Sequence, residues 1–311
     1  MTKKPTRDGY GEGLLHLGKH NPDVIVMDAD VAKSTRSDWF WKEFPERFID
    51  MGISEQDMLG TAAGLALTGK IPFVSTYGVF LAGRAWDQIR TTICYTNLNV
   101  KLGGAHGGIS VGPDGATHQS LEEIALMRVL PNMKLIVPCD AIETRKATIA
   151  AASIPGPVYL RFAREATPIL TTEDDEWVFG KATTMRPGND VTIIACGPIL
   201  AEALTAAEQL QQSGISARVL NMHTIKPLDE EAILLAAKET GAIVTAEEHQ
   251  VNAGLGGAVA EVLVKHQPVP VEMVGIMDTF GESGTADELM EAYGLSSKSI
   301  VAAVKRAIKR K

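Results

Sequence analysis

Short apolar runs of strand length alternate with helix-length segments along the whole chain, the pattern of parallel α/β sheets. The first runs are Val24–Met27, Pro72–Ser75, Val100–Leu102, Leu135–Val137 and Val158–Leu160. Between them, Gln56 to Thr68 puts Met58, Ala62, Ala63 and Leu65 toward one side, which predicts a helix. Arg84 to Arg90 also reads as helical. Asp140 fits the N-cap of a further helix, with Glu143 at the capping-box position.

The rhythm breaks between Thr167 and Asp190. That stretch holds Pro168, the acidic run Glu173 to Glu176, and Arg186-Pro187-Gly188-Asn189-Asp190. It reads as an interdomain connection, with a short hairpin expected around Trp177–Phe179. A second α/β unit follows: strands at Val191–Ala195, Ala217–Leu220, Ala242–Thr245 and Val269–Val274, and helices at Leu200–Gln212, Glu230–Glu239, Gly256–His266 and Ser299–Arg310. The expected organisation is therefore a first domain over 1–168, a linker over 169–190 and a second domain over 191–311.

Composition narrows the class. Lys and Arg total 30 and Asp and Glu 38, a net charge of −8 that disfavours a nucleic-acid surface. No apolar run reaches the roughly 18 residues of a membrane span, and Met1 to Asp8 lacks the apolar stretch of a signal peptide. Cys94, Cys139 and Cys196 show neither metal-type spacing nor a disulfide framework, which suits a reducing compartment. A cytoplasmic location is expected.

Three segments carry the candidate chemistry. Asp50-Met51-Gly52-Ile53-Ser54-Glu55-Gln56 falls at a strand-to-helix junction, where Glu55 in the first turn is favoured by the helix dipole. On that basis alone Glu55 is as well explained by capping, beside Ser54 as N-cap. Ser75-Thr76-Tyr77-Gly78-Val79-Phe80 sets aromatics at i and i+3 just past a strand. Gly103-Gly104-Ala105-His106-Gly107-Gly108, running on to Gly112-Pro113-Asp114-Gly115-Ala116-Thr117-His118-Gln119, is a long glycine-rich loop with two histidines and an aspartate. Such loops in a compact domain are usually functional, and in α/β sheets they lie beyond strand ends where ligands bind.

These motifs, together with Asp87-Gln88-Ile89-Arg90, occur in order, and the chain resembles thiamine-diphosphate-dependent transketolases. The resemblance runs from Thr6 to the last helix and covers the pyrimidine-binding and C-terminal domains, both of parallel-sheet α/β type. No Gly-Asp-Gly stretch with a downstream Asn, which in full-length members holds diphosphate through a divalent metal, is present. The resemblance thus implies the C-terminal section of a split enzyme, whose diphosphate and Mg2+ or Ca2+ are bound by an N-terminal partner subunit in a heterotetramer, with no metal ligands on this chain.

The resemblance also implies roles. Glu55 would hydrogen-bond a ring nitrogen of the aminopyrimidine, and Tyr77, Phe80 and Ile53 would line its pocket. His106, Asp114 and His118 would face the substrate, with His118 stabilising oxygen charge or moving a proton at the donor carbonyl. Arg7, Ser34 and Arg164 match phosphate-binding positions for a sugar phosphate of the pentose phosphate type. Gly83, Gly107 and Pro113 depart from common microbial members, at one aromatic and two acidic positions. The loop Glu247-Glu248-His249 with Asn252 to Gly257 resembles a structural loop at the subunit interface. The Asp114 to Gln119 motif favours a transketolase over the β subunit of a 2-oxo acid dehydrogenase. Retention of Glu55 and His118 argues against a non-catalytic, regulatory subunit.

Overall fold

Seven strands form the larger sheet in the computed structural model, which describes residues 2–311. Their spatial order is Thr224–Lys226, Lys134–Ile136, Val158–Phe162, Lys101–Ala105, Ile71–Tyr77, Val24–Asp28 and Phe48–Asp50. The last six run parallel. Val158–Phe162 and Lys101–Ala105 are buried at every residue, as strands covered on both faces must be. Even Lys101 is inside. Its Nζ donates to Asn99 Oδ1 at 2.6 Å and to the carbonyls of Ile154 and Gly156 at 2.6 and 2.8 Å, and burial pushes its pKa down to about 7.

A second sheet has the order Val271–Ile276, Ile243–Gln250, Val191–Ala195, Ala217–Asn221 and Thr183–Arg186, parallel except for the last. Lys3–Pro5 and Ala166–Pro168 form a small antiparallel pair. The architecture is the expected α/β one, with two parallel-dominated sheets. Each sheet is finished by an antiparallel edge strand that the alternation does not reveal. Thr183–Arg186 comes from the stretch expected to be a connection. Thr224–Lys226, deep in the second half of the chain, pairs with Lys134–Ile136 of the first sheet. Apolar packing crosses the same seam, since Leu135 and Val137 share one core cluster with Leu220, Met222 and Ile225.

Other local expectations shift. The helix expected over Arg84 to Arg90 forms, wound largely as two π-helical segments, Phe80–Arg84 and Gln88–Cys94. Such wide turns are rare and favour functional sites. The hairpin around Trp177–Phe179 does not form, because Trp177 packs its ring on His223 at 5.0 Å. Asp140 does cap its helix, accepting from Glu143 N at 2.8 Å, but Glu143 accepts from Cys139 N rather than closing a box on Asp140. The helix Thr6–His20 carries too many glycines to announce itself by propensity. It needs them, for a Cβ on Gly9 would lie 2.0 Å from the carbonyl oxygen of Ala141 and one on Gly13 would lie 2.6 Å from Thr148 Cβ.

Candidate active site

Chain segments leaving the C-terminal ends of five adjacent parallel strands converge on one side of the larger sheet. Phe48–Asp50 leads to Glu55, Val24–Asp28 to Ser34, Ile71–Tyr77 to Phe80, Lys101–Ala105 to His106 and the long loop, and Val158–Phe162 to Arg164. This is where the fold class puts ligands. Arg7 joins them because Thr6 ties the start of its helix to Ala163, Oγ1 donating to the carbonyl at 3.2 Å.

Glu55 opens the helix Glu55–Leu67 and is 2% exposed. Ser54 is the N-cap residue, but its hydroxyl donates back to Met51 O at 2.8 Å and caps nothing. Both Glu55 oxygens instead accept from Arg84 Nη1, at 2.9 and 2.8 Å. The same guanidinium lies over the Phe80 ring, 4.7 Å from its centroid. Capping therefore does not account for a buried carboxylate whose partner rests on an aromatic face.

Beyond Phe80 the rings continue. His118 stands edge-on to Phe80 at 5.3 Å and to Tyr77 at 5.8 Å, and Tyr77 stacks on His106 at 4.4 Å. His118 Nδ1 is 3.0 Å from Thr117 Oγ1, which fixes one edge of the ring and leaves Nε2 for a ligand. Tyr77 donates its hydroxyl proton to Ser34 Oγ at 3.2 Å. Arg7 Nη1 donates to Ser34 O at 3.0 Å and sits 3.4 Å from His106 Nε2. Arginine only donates, so that nitrogen must accept and His106 carries its proton on Nδ1. Burial, reinforced by the charges of Arg7 and Arg164, lowers the His106 pKa to about 3 and keeps the ring neutral. Burial and the neighbouring Arg36 charge also lower Arg7. At the outer end, Arg164 Nη1 donates to Asp114 Oδ1 at 3.0 Å.

The structure thus gathers Arg7, Ser34, Glu55, Tyr77, Phe80, His106, Asp114, His118 and Arg164 into one continuous surface. Ile53, two residues before Glu55, is 74% exposed. Open space surrounds Gly83, where a Cβ would meet nothing within 4 Å.

Residues behind this surface shape the loop, and two of them, Arg161 and Glu123, lie outside the sequence motifs. Arg161, 3% exposed, donates to Glu123 Oε1 at 2.6 Å and to the carbonyls of Ser120 and Glu248 at 3.2 and 2.7 Å. Its side chain explains Gly107, since a Cβ there would lie 2.6 Å from Nε. Glu248 Oε1 accepts from Ser110 N at 2.6 Å, so the Glu247–His249 segment holds the loop from the second sheet. Arg84 had a legible signal, a cation four residues after an aromatic. Arg161, inside a strand, had none.

Residues 2–169 match the family model "Transketolase, pyrimidine binding domain" and residues 180–300 match "Transketolase, C-terminal domain". The chain belongs to the transketolase family. A putative transketolase C-terminal section of Methanocaldococcus jannaschii is 46% identical over 310 residues, covering 99% of this chain and 97% of that one. A 6-deoxy-6-sulfo-D-fructose transketolase subunit of Clostridium sp. (strain MSTE9) is 43% identical, over 98% of this chain and 95% of its own length. An apulose-4-phosphate transketolase subunit of Phocaeicola vulgatus is 42% identical, with 94% of each chain covered. Among solved structures, a split gene transketolase described as an inactive β4 tetramer superposes with a TM-score of 0.93 at 50% identity, over 99% of both chains. The Campylobacter jejuni transketolase, at 24% identity and TM-score 0.84, shares the fold across 98% of this chain and 47% of its own. Family membership by whole-length likeness to such subunits favours a transketolase subunit over a dehydrogenase β subunit.

Proposed function

We propose that this chain is the cofactor-activating half of a two-subunit transketolase, moving a two-carbon ketol unit from a ketose phosphate to an aldose phosphate. The observation that carries the reading is Glu55, a carboxylate buried at a helix start and linked through Arg84 to the Phe80 ring, in a surface that continues to His118 and two further arginines. These residues fit the aminopyrimidine half of thiamine diphosphate. Among the described residues, no three His, Cys, Asp or Glu side chains converge as a metal site requires. The likeness to split transketolase subunits supports assigning the diphosphate and its Mg2+ or Ca2+ to a partner subunit.

Thiamine diphosphate supplies the electron sink that allows a carbon–carbon bond beside a carbonyl to break. Glu55 holds a hydrogen bond at a ring nitrogen, strengthened by the dry surroundings of its carboxylate. Tyr77 and Phe80 set the ring plane. His118 holds or moves a proton at the donor carbonyl oxygen, a task suited to imidazole near neutral pH. Asp114 accepts from sugar hydroxyls, neutral His106 donates through Nδ1–H, and Arg7, Ser34 and Arg164 bind the anionic tail. Guanidinium pairs suit a phosphate; two relatives named for a sulfosugar and for apulose 4-phosphate indicate that the sugar varies across such subunits.

Partner docking is supported by the outer face of the Glu55–Leu67 helix. Gly60 and Gly64 there have open space where a Cβ would sit, Leu67 and Ile53 near the helix ends are exposed, and so is Tyr95, just past the Gln88–Cys94 segment that packs on this helix. Glycines on an outer helix face permit close backbone approach. A heterotetramer of two such pairs is the proposed assembly. Three buried free thiols, and no helix among the described residues long and apolar enough to cross a membrane, go with a cytoplasmic setting.

The test is reconstitution. Purified alone, the chain should give no ketol transfer from xylulose 5-phosphate or a related ketose phosphate. Mixed with a subunit carrying the diphosphate motif, it should turn over. Activity of the single chain would sink the split reading.

A further inference from the structure

Arg84 is the one cation in contact with Glu55 among the described residues, and its geometry is that of a ligand rather than a strut. Its Nη1 donates to both carboxylate oxygens at 2.9 and 2.8 Å while its flat guanidinium lies on Phe80 at 4.7 Å. A planar, delocalised, N–H-bearing group that bonds a carboxylate and stacks on an aromatic face reproduces the two contacts proposed for the aminopyrimidine. The two groups compete for those contacts. Each oxygen of Glu55 is already accepting from Arg84, and one face of Phe80 is covered.

The attachment of Arg84 favours release. Its side chain is 48% exposed, so the guanidinium can leave for water. It ends the π-helical segment Phe80–Arg84 next to Gly83, around which space is open. Gln56 Nε2 donates to the Arg84 carbonyl at 3.3 Å, which holds the backbone while the side chain moves. The pairing also answers a physical need: a carboxylate 2% exposed would stand uncompensated without it.

We propose that the Arg84 side chain is a built-in occupant of the aminopyrimidine subsite, holding Glu55 and Phe80 in the cofactor-free chain and displaced when the cofactor enters. This deepens the cofactor reading above and rests on it. Arg84 then acts against cofactor binding, because part of each binding event goes into breaking its ion pair. It also selects ligands, as only a ring able to replace its bond to Glu55 leaves that carboxylate compensated.

The test compares Arg84→Met and Arg84→Lys with the wild type in the complex with the diphosphate-binding subunit, titrated with thiamine diphosphate and Mg2+ and followed by calorimetry or tryptophan quenching. The expected result for Arg84→Met is a dissociation constant lower by roughly tenfold, with faster association, as removal of a competing state requires. Arg84→Lys should fall between, since ammonium bonds the carboxylate but cannot stack flat. Equal or weaker cofactor binding by Arg84→Met overturns the proposal and makes Arg84 a support for Glu55 instead. A wild-type complex that binds no thiamine diphosphate overturns the cofactor reading itself, an outcome distinct from an unchanged ratio between variant and wild type.

Discussion

Replacing Arg161 by Met should come close to unfolding the protein. The methionine keeps most of the apolar stem but removes the guanidinium. Glu123, 1% exposed, then loses its charged partner, and the carbonyls of Ser120 and Glu248 each lose a donor. Breaking a buried ion pair from one side costs about 3–5 kcal/mol. The Glu248 carbonyl adds on the order of 1 kcal/mol when water cannot reach it, whereas that of Ser120 keeps the Gly108 N–H at 2.9 Å. A net loss of about 4–6 kcal/mol is therefore expected, against a total stability of roughly 5–15 kcal/mol. Denaturant midpoints measured by circular dichroism would read this, with the double variant Arg161→Met/Glu123→Gln as the control. Removing the stranded charge should restore about 2 kcal/mol or more. A single variant that loses less than about 1 kcal/mol, or a double variant no better than the single, would refute the buried-pair account.

Three further outcomes follow from the site. Glu55→Gln should leave the circular dichroism spectrum intact and abolish ketol transfer in the reconstituted complex; near-normal turnover would remove Glu55 from its role. His118→Ala should lower kcat by about 10²- to 10⁴-fold, the range of a lost acid–base group, while cofactor affinity stays within a factor of a few; the reverse pattern would deny it a substrate role. The third concerns acid. His106 is neutral when folded down to pH about 3 but takes a proton near 6.5 when unfolded, so its contribution is present above 6.5 and lost as pH falls toward 3, at about 1.4 kcal/mol per pH unit. His106→Gln should flatten the stability profile across that window, and a slope unchanged from wild type would contradict it. Asp28, raised by burial to a pKa of about 6, acts with the opposite sign and is common to both proteins.

Much of the fold was legible because central parallel strands are long apolar runs and the helices between them keep their period. Elements at the margins were not. Thr224–Lys226 and Thr183–Arg186 are three and four residues long and owe their conformation to the strands they meet. The helix Thr6–His20 hides because close packing on Ala141 and Thr148 demands the glycines that weaken its helical signature. In the site, glycine runs and paired aromatics marked where ligands gather, and the structure brings those residues together. Arg161 escaped notice because an arginine within an apolar strand looks the same in sequence whether it snorkels or is buried. Its burial depends on Glu123, 38 positions earlier, and on a carbonyl from the second sheet.

The strand Thr224–Lys226 bears on where this polypeptide could be cut. A transketolase can be divided between genes where one domain merely docks on another. Here the segment around 169–190 resembles such a joint, but the chain beyond it returns to hydrogen-bond the edge of the first sheet. A fragment ending at 168 would emerge with Lys134–Ile136 as a bare edge, open to pairing with a second copy. On the ribosome the same strand delays completion of the first sheet until residue 226 has been made. The first sheet is thus completed by a strand from the second half of the chain.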